Sequence, residues 1–295
     1  SGKAEMRFKA SITSATTDAA GSAGALTSQY RDQGIVGLPQ QPLRVRSLLP
    51  VIQITQPGVE VMVQKARNLN AAMVAEGAAK PESDLQFELK QFNTRTIAHW
   101  MKASRQILDD APQLRGTIDS ELLYGLGLVE DNQLLNGDGT GQNLHGLVPQ
   151  ATAYSAPITM PSPTSIDQIG LAILQASLAG HPADGVVMHP ADWMYIRLAK
   201  DTTGRYIYGD PSEQVTPRIF GLPIVPTEAM TIDKFLVGQF RTAATVYDRW
   251  DARVEVGYVN EDFTKNMVTI LAEERLALAV KRPGAMIYGD FGRLA

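Results

Sequence analysis

The chain contains 295 residues with 27 basic and 31 acidic side chains, a net charge of −4, and no cysteine. The absence of cysteine excludes disulfide scaffolds, thiolate-ligated zinc sites, iron–sulfur clusters and cysteine nucleophiles. No apolar run approaches the roughly 18 residues that a membrane span requires. The slightly acidic balance argues against a general nucleic-acid binder, which carries a basic stripe. A chain of this length is expected to form one large domain or two small ones.

The N-terminal segment, residues 1–45, is rich in Ala, Ser, Thr, Gly and Gln, and no apolar periodicity runs through residues 13–24. Such a segment is expected to be a flexible arm that becomes ordered only where it lies on another surface. The chain begins with Ser1 rather than methionine, and its first residues lack the apolar core of a signal peptide. We therefore expect an N-terminus that was trimmed, by natural processing or by cloning.

Two segments alternate apolar and polar residues with the period of a strand. Val59, Val61 and Val63 share one side of the first, and apolar residues at 85, 87 and 89 do so in the second. About 20 mostly small or polar residues join them, which is long for a connection inside a compact domain. Because an isolated hairpin is marginally stable in water, the pattern predicts a long two-stranded arm that rests on another subunit.

Helical and further strand patterns follow. Apolar spacing predicts a helix over about residues 112–135, a rod about 36 Å long, capped by Asp109 or Asp110 and ended by Gly137. Residues 165–240 alternate helical and strand patterns, which indicates a mixed lobe. A long strand is expected over residues 267–280. The predicted fold class is therefore mixed α+β.

Local motifs offer little catalytic chemistry. The glycine-rich loop at residues 136–141 closes a helix rather than opening one, so it predicts a turn and not a phosphate cradle or calcium loop. None of the four histidines has the spacing of a metal-ligand pair, and we predict neither a metal nor a cofactor. Asp109 and Asp110 could form the acid pair of a soluble hydrolase, but adjacent helical positions do not face each other.

Glu273 has two possible roles. On an unbroken strand it shares a face with Arg275, and an ion pair between these two residues is the simpler interpretation. In an apolar neighbourhood the pKa of Glu273 could instead rise, so that its carboxylate acts as a general base. The local sequence leaves both roles open.

Seven segments of the chain occur together, in the same order, in a known protein family. They are residues 74–84 (VAEGAAKPESD), 96–100 (TIAHW), 104–112 (SRQILDDAP), 133–141 (QLLNGDGTG), 204–209 (GRYIYG), 221–227 (GLPIVPT) and 266–278 (NMVTILAEERLAL). Each segment alone is weak evidence for a family, but the occurrence of all seven in constant order over about residues 30–290 is specific evidence. Together they resemble the major capsid proteins of tailed bacteriophages of the Hong Kong 97 type.

The resemblance implies an α+β capsid fold with four parts. These are an N-terminal arm at 1–45, an extended hairpin called the E-loop with its flanking strands at 46–95, a P-domain at 96–136 and 255–277 that holds a long spine helix at about 112–135, and an A-domain at 137–254 and 278–295.

The resemblance also implies a covalent reaction between subunits. Lys80 matches the cross-linking lysine of the family, Asn266 matches the asparagine that it attacks, and Glu273 matches the general base. In the family these residues form an isopeptide bond with release of ammonia. The chain is then a structural protein that performs a single autocatalytic turnover, not an enzyme.

The spacing of two of these residues adds a constraint. Asn266 and Glu273 are seven positions apart, so on one continuous strand they face opposite sides about 23 Å apart. They cannot serve one site from one chain unless the strand folds back. We therefore expect different subunits to supply them.

The resemblance implies several partners. Copies of the chain form hexamers and pentamers of an icosahedral virion shell, assembled in the bacterial host cytoplasm around double-stranded DNA without sequence-specific binding or a membrane. A portal and a maturation protease are further expected partners, with decoration proteins as an optional addition. The alternative is a bacterial nanocompartment shell that encloses protein cargo, but its E-loop as a rule lacks the cross-linking lysine, so Lys80 disfavours it.

Overall fold

The structure, a computed structural model, describes residues 36–110, 112–201, 203–208 and 217–293. The chain divides into two units, Ser1–Leu38 and Pro39–Ala295. Of the first unit, residues 36–38 are described, and all three are exposed. Residues 1–35 of the predicted arm, which spans residues 1–45, therefore lie outside the described residues.

The described residues of the second unit form twelve strands and six α-helices. The strands are β1 (Val51–Gln53), β2 (Gly58–Asn68), β3 (Asp84–Asn93), β4 (Arg95–Ser104), β5 (Thr152–Ala153), β6 (Gly185–Met188), β7 (Arg218–Ile219), β8 (Leu222–Pro226), β9 (Lys234–Gly238), β10 (Ala244–Gly257), β11 (Met267–Val280) and β12 (Met286–Asp290). The helices are α1 (Arg105–Asp110), α2 (Pro112–Asn136), α3 (Leu147–Gln150), α4 (Ser165–Leu178), α5 (Pro190–Arg197) and α6 (Phe240–Ala243), and short 3-10 helices lie at Arg46–Leu48 and Pro283–Ala285.

One sheet has four strands in the order β1, β10, β11, β4. β11 pairs antiparallel with β10 on one side and with β4 on the other, so it is a central strand. The strand expected over residues 267–280 is confirmed with the same limits. Because both edges of β11 are hydrogen-bonded, the direction of each of its side chains is fixed by the alternation of the strand.

The long helix α2 packs on this sheet. The helix predicted over residues 112–135 is confirmed and extends to Asn136. Residues spaced four apart on one face, Ile118, Leu122 and Leu126, are buried in one cluster with Ala103 of β4 and Ile270 and Ala272 of β11. The apolar spacing read from the sequence therefore marks the face that holds the helix on the sheet.

A glycine in α2 lets β4 approach the helix closely. His99 of β4 places its Nε2 atom 2.7 Å from the backbone oxygen of Leu122. A Cβ atom at Gly125 would lie 2.5 Å from Cε1 of the same histidine ring. Glycine inside a helix is about 1 kcal/mol less favourable than alanine, so this close contact explains why a poor helix former occupies the position.

Alanine should therefore have opposite effects at two glycines of α2. We expect Gly125→Ala to destabilise the protein by about 1–3 kcal/mol, because the methyl group must displace the His99 ring. The matched control is Gly116→Ala, since Gly116 is exposed and has no atom within 4 Å of its would-be Cβ. We expect this control to be stabilised by up to about 1 kcal/mol. Denaturant unfolding of the two variants checks the prediction, and a destabilised Gly116→Ala protein or an unchanged Gly125→Ala protein would contradict it.

The second sheet has six strands in the order β5, β12, β9, β6, β8, β7. The buried side chains on one face of this sheet form a cluster with those of α4 and α5, including Ile169, Ala172, Trp193, Phe235 and Val237. Helix α4 begins with a reciprocal capping box between Thr164 and Asp167, which satisfies backbone N–H groups that the first turn would leave unpaired. The mixed lobe predicted for residues 165–240 is confirmed for its described part.

The hairpin predicted from the alternating segments is confirmed as β2 and β3. The two strands pair antiparallel along their length, with one irregularity between Gln64 and Ala66. Four large apolar side chains of the hairpin are between 51% and 63% exposed: Met62, Leu85, Phe87 and Leu89. A two-stranded hairpin that exposes such an apolar row is only marginally stable on its own in water.

The loop after α2 is a turn, as the sequence predicts. The Asp138 carboxylate accepts hydrogen bonds from the Thr140 hydroxyl at 2.7 Å, the Thr140 backbone at 3.0 Å and the Asn143 amide at 2.8 Å. These hydrogen bonds, first those from Thr140, lower the pKa of Asp138 to about 2. The carboxylate is thus used to close the loop. Within the described ranges, no group of three or more His, Asp or Glu side chains is placed to hold a metal ion.

Candidate functional site

Lys80 lies at the exposed end of the hairpin. It belongs to the irregular connection between β2 and β3, and its side chain is exposed. A turn precedes it, in which Ala78 donates a backbone hydrogen bond to Ala75 at 3.1 Å and Gly77 has a φ of 84°. The connection therefore presents the Lys80 side chain to solvent, where another chain can reach it.

Asn266 lies at the junction between a loop and the start of β11. Its φ is 53°, in the left-handed region that asparagine tolerates better than most residues. Its backbone oxygen accepts a hydrogen bond from the Arg105 N–H at 2.9 Å. The residue is exposed. Its backbone is therefore held while its carboxamide faces solvent.

Glu273 lies in the middle of β11, and its ion pair is with Arg253. The register places Arg253 of β10 directly opposite Glu273, and Arg253 Nε donates to Glu273 Oε1 at 3.0 Å. The expected pairing with Arg275 is wrong. Arg275 instead donates to the Thr94 hydroxyl at 2.9 Å and lies over the Trp250 ring. Cross-strand neighbours are closer than residues two apart on one strand, so the register decides the partner.

The three residues do not come together within one chain. β11 runs unbroken from Met267 to Val280, so Asn266 lies roughly 23 Å from Glu273 at about 3.3 Å per residue. The alternation of β11 confirms that Glu273 shares a half-buried face with Leu271 and Arg275. A reaction that uses both Asn266 and Glu273 therefore needs side chains from more than one chain.

The structure also contains a buried acidic cluster that the sequence interpretation missed. Glu274 is 5% exposed, and among the described residues its Oε1 atom has no hydrogen-bond partner. Arg46 forms ion pairs with Glu130 of α2 and Asp248 of β10 beside it. Burial, and then the charge of Glu130, raise the pKa of Glu274 to about 7. Strand alternation was the available signal, because it places Glu274 on the same buried face as Leu276.

The raised pKa of Glu274 predicts that mild acid stabilises the protein. The folded-state pKa, about 7, lies above the ordinary value of 4.5, so the stabilising contribution is complete below about pH 4.5 and is lost as the pH rises through about 7. Arg46, Glu130 and Asp248 face this group, and burial raises the pKa values of both acids as well. We expect the unfolding temperature to fall from about pH 5 to about pH 8, and to fall less in Glu274→Gln, which cannot ionise.

Thermal unfolding over a pH series measures this effect. The control is Glu261→Gln, whose carboxylate is 71% exposed in an ion pair with Lys265. Its pH dependence should match that of the unmodified protein, because exposed pairs contribute little to stability. Identical slopes for all three proteins would show that Glu274 does not titrate in this range.

Comparisons with known proteins place the chain among phage proteins. Residues 23–291 match the phage capsid family. The chain is 46% identical over 273 residues to the major capsid protein of Enterobacteria phage HK97, an alignment that covers 92% of this chain and 71% of that protein.

Solved structures share the fold. A structure titled "Mycobacterium phage Bobi" has a TM-score of 0.77 at 16% identity, covering 95% of this chain and 99% of that chain. A structure titled "Capsid of native GTA particle computed with C5 symmetry" has a TM-score of 0.75 at 20% identity, covering 94% and 99%. At these identities the likeness concerns the fold alone.

The fold is thus the α+β fold of phage capsid subunits, as the seven ordered segments predict. The chain belongs to the phage capsid family. It is a structural protein of the virion. In the part of the chain that the structure describes, no helix is long and apolar enough to cross a membrane.

Proposed function

We propose that this capsid protein assembles as hexamers and pentamers of an icosahedral shell around double-stranded DNA, and that isopeptide bonds between Lys80 and Asn266 then join its subunits, with Glu273 as general base. The observation that carries the proposal is the placement of these three side chains. Lys80 lies on an exposed hairpin, Asn266 at an exposed loop end, and Glu273 in the middle of a strand. Such a set can meet only when several chains pack together.

The hairpin supports the assembly part of the proposal. Its exposed apolar row needs a covering surface, and in a shell of identical subunits a neighbouring copy supplies one. We assign 46–95 to the E-loop region, 96–136 and 255–277 to the P-domain, and 137–254 and 278–295 to the A-domain. All strands of the six-stranded sheet fall inside the A-domain limits, which supports this division.

The chemistry of the cross-link follows from the side chains. The neutral Lys80 amine attacks the Cγ atom of Asn266, and a new C–N bond forms. Glu273 takes a proton from the attacking nitrogen and returns it to Nδ2 of Asn266 as the Cγ–Nδ2 bond breaks and ammonia leaves. The lysine must first lose a proton to solvent, which burial in an interface favours because desolvation disfavours the charged amine.

Arg253 prepares Glu273 for this role. Both contacts that Arg253 makes with Glu273 fall on Oε1. The ion pair therefore fixes the direction of the carboxylate while Oε2 remains to accept a proton. The Glu273 side chain is 17% exposed, so a docking hairpin can remove it from water, and a base works best where water does not compete for the proton.

The net charge suits a shell around DNA. At −4 per subunit, the protein can enclose DNA without the strong attraction that a basic lining would produce. A portal, a maturation protease and decoration proteins are the further partners that we expect of such a shell.

A denaturing gel of purified particles tests the cross-link. We expect a ladder of covalent oligomers that persists in the presence of reductant, because a chain without cysteine cannot form disulfide bonds. Lys80→Arg should abolish the ladder, since the delocalised guanidinium is not a nucleophile at neutral pH. The control is Lys65→Arg on the same hairpin, which should leave the ladder unchanged. Mass spectrometry should identify a Lys80–Asn266 peptide pair lighter by one ammonia.

Two results would contradict this prediction. A ladder that persists in Lys80→Arg particles would assign the cross-link to other residues. A single band from mature particles would mean that non-covalent packing alone holds the shell together. The contents of the particles distinguish DNA from the protein cargo of a nanocompartment.

The role of Glu273 has a separate test. We expect Glu273→Gln particles to assemble normally and to cross-link about 10²–10⁴-fold more slowly, the range that general-base catalysis contributes. The matched control is Glu255→Gln, because Glu255 also contacts Arg253, at 3.3 Å, without being a proposed base. Time courses of oligomer formation measure both rates. Equal rates in the Glu273→Gln and unmodified particles would exclude Glu273 as the base.

A further inference from the structure

The loop that carries Asn266 is held by one buried carboxylate. Of residues 258–266, Asp262 alone is buried, at 4% exposed. Its side chain accepts hydrogen bonds from the Thr269 hydroxyl at 2.7 Å and from the Val259 backbone at 2.9 Å, and it forms an ion pair with Lys102 at 2.8 Å. Asp262 therefore ties the loop to β4 and β11.

The backbone of Asp262 adds two contacts. Its N–H donates to the Val259 oxygen at 3.1 Å, and its oxygen accepts from the Met267 N–H at 2.9 Å. Met267 directly follows Asn266, whose own oxygen accepts from the Arg105 N–H. The chain on both sides of the Asn266 side chain is thus fixed, and the residue is held in its left-handed conformation.

The charge of Asp262 contributes to this hold. Its hydrogen bonds from Lys102 and then from Thr269 lower its pKa to about 2, so the carboxylate is ionised at neutral pH. Hydrogen bonds and ion pairs to an ionised group are stronger than those between neutral groups. The side chains of the other charged pair of the loop, Lys265 with Glu261, are both exposed.

We propose that Asp262 is a positioning residue for the cross-linking reaction. It touches neither reacting atom. By fixing the loop against β4 and β11, it sets where Asn266 presents its Cγ atom to the lysine amine of another subunit. The inference rests on the proposed function, because it assigns to Asp262 a part in the Lys80–Asn266 reaction. Misplacement by about 1 Å can slow a reaction by about 100-fold.

Mixed particles separate positioning from general stability. A Lys80→Arg chain can supply only Asn266. An Asn266→Gly chain can supply only Lys80, because glycine has no side-chain carbonyl to attack and tolerates the positive φ of this position. Particles assembled from both chains should form covalent dimers and nothing larger. Asp262→Asn is then placed either in the asparagine-supplying chain or in the lysine-supplying chain, and dimer formation is followed over time.

We expect a difference between the two arrangements. Asp262→Asn in the asparagine-supplying chain should slow dimer formation about 10- to 100-fold. The same substitution in the lysine-supplying chain should leave the rate unchanged. Glu261→Gln in the asparagine-supplying chain is the control and should also leave it unchanged. A purely structural role would act in both arrangements equally.

The remaining outcomes are decisive. Equal slowing in both arrangements, or no slowing in either, overturns the assignment of Asp262. If the mixed particles without Asp262→Asn form no dimers, the proposed cross-link itself is wrong, and the inference falls with it. Should Asp262→Asn fail to assemble, Thr269→Val removes one of the three side-chain contacts, keeps the side-chain shape, and should produce the same asymmetry on a smaller scale.

Discussion

Successive side chains of β11 point to opposite faces of its sheet, and the strand is hydrogen-bonded along both edges. Glu273 and Glu274 are therefore neighbours in sequence that occupy different environments. One pairs with Arg253 on the half-buried face, and the other is enclosed between the sheet and α2 beside Glu130. Neither can adopt the environment of the other without a shift in register that would reverse every side chain of the central strand.

The same strand separates the groups that the proposed reaction needs. Asn266 precedes the first residue of β11, Glu273 lies near its middle, and Lys80 belongs to the hairpin. If the reaction needs all three groups, a folded chain therefore cannot react with itself, although it contains them. The reaction would become possible only as chains pack, so covalent joining would depend on correct assembly and could not precede it. In this arrangement the sheet would hold Asn266 and Glu273 in fixed positions, and the exposed hairpin would carry Lys80 to a neighbouring subunit.

Local periodicity predicted the elements well and their partners poorly. The limits of α2 and β11 and the presence of the hairpin followed from apolar spacing, because each element sets its own period. The pairing of Glu273 with Arg253 did not follow from apolar spacing, and neither did the contact of Arg46 with Glu130, 84 residues away. Such contacts depend on how elements pack. Asp262 was missed for the same reason, whereas the seven ordered segments identified the family because similarity in sequence reflects similarity in packing.

In the proposed reaction each subunit would contribute one attacking lysine, on the hairpin, and one asparagine to be attacked, before β11. If the proposed bonds form, every chain can take part in two of them. Polymer chemistry calls this a functionality of two. Monomers of functionality two make linear chains or closed rings and never a branched network. On a shell without edges, complete reaction would leave rings alone. Any product larger than one ring that survives denaturation would then have to consist of rings threaded through one another. Such rings are held together because they are interlinked, and no covalent bond joins one ring to the next.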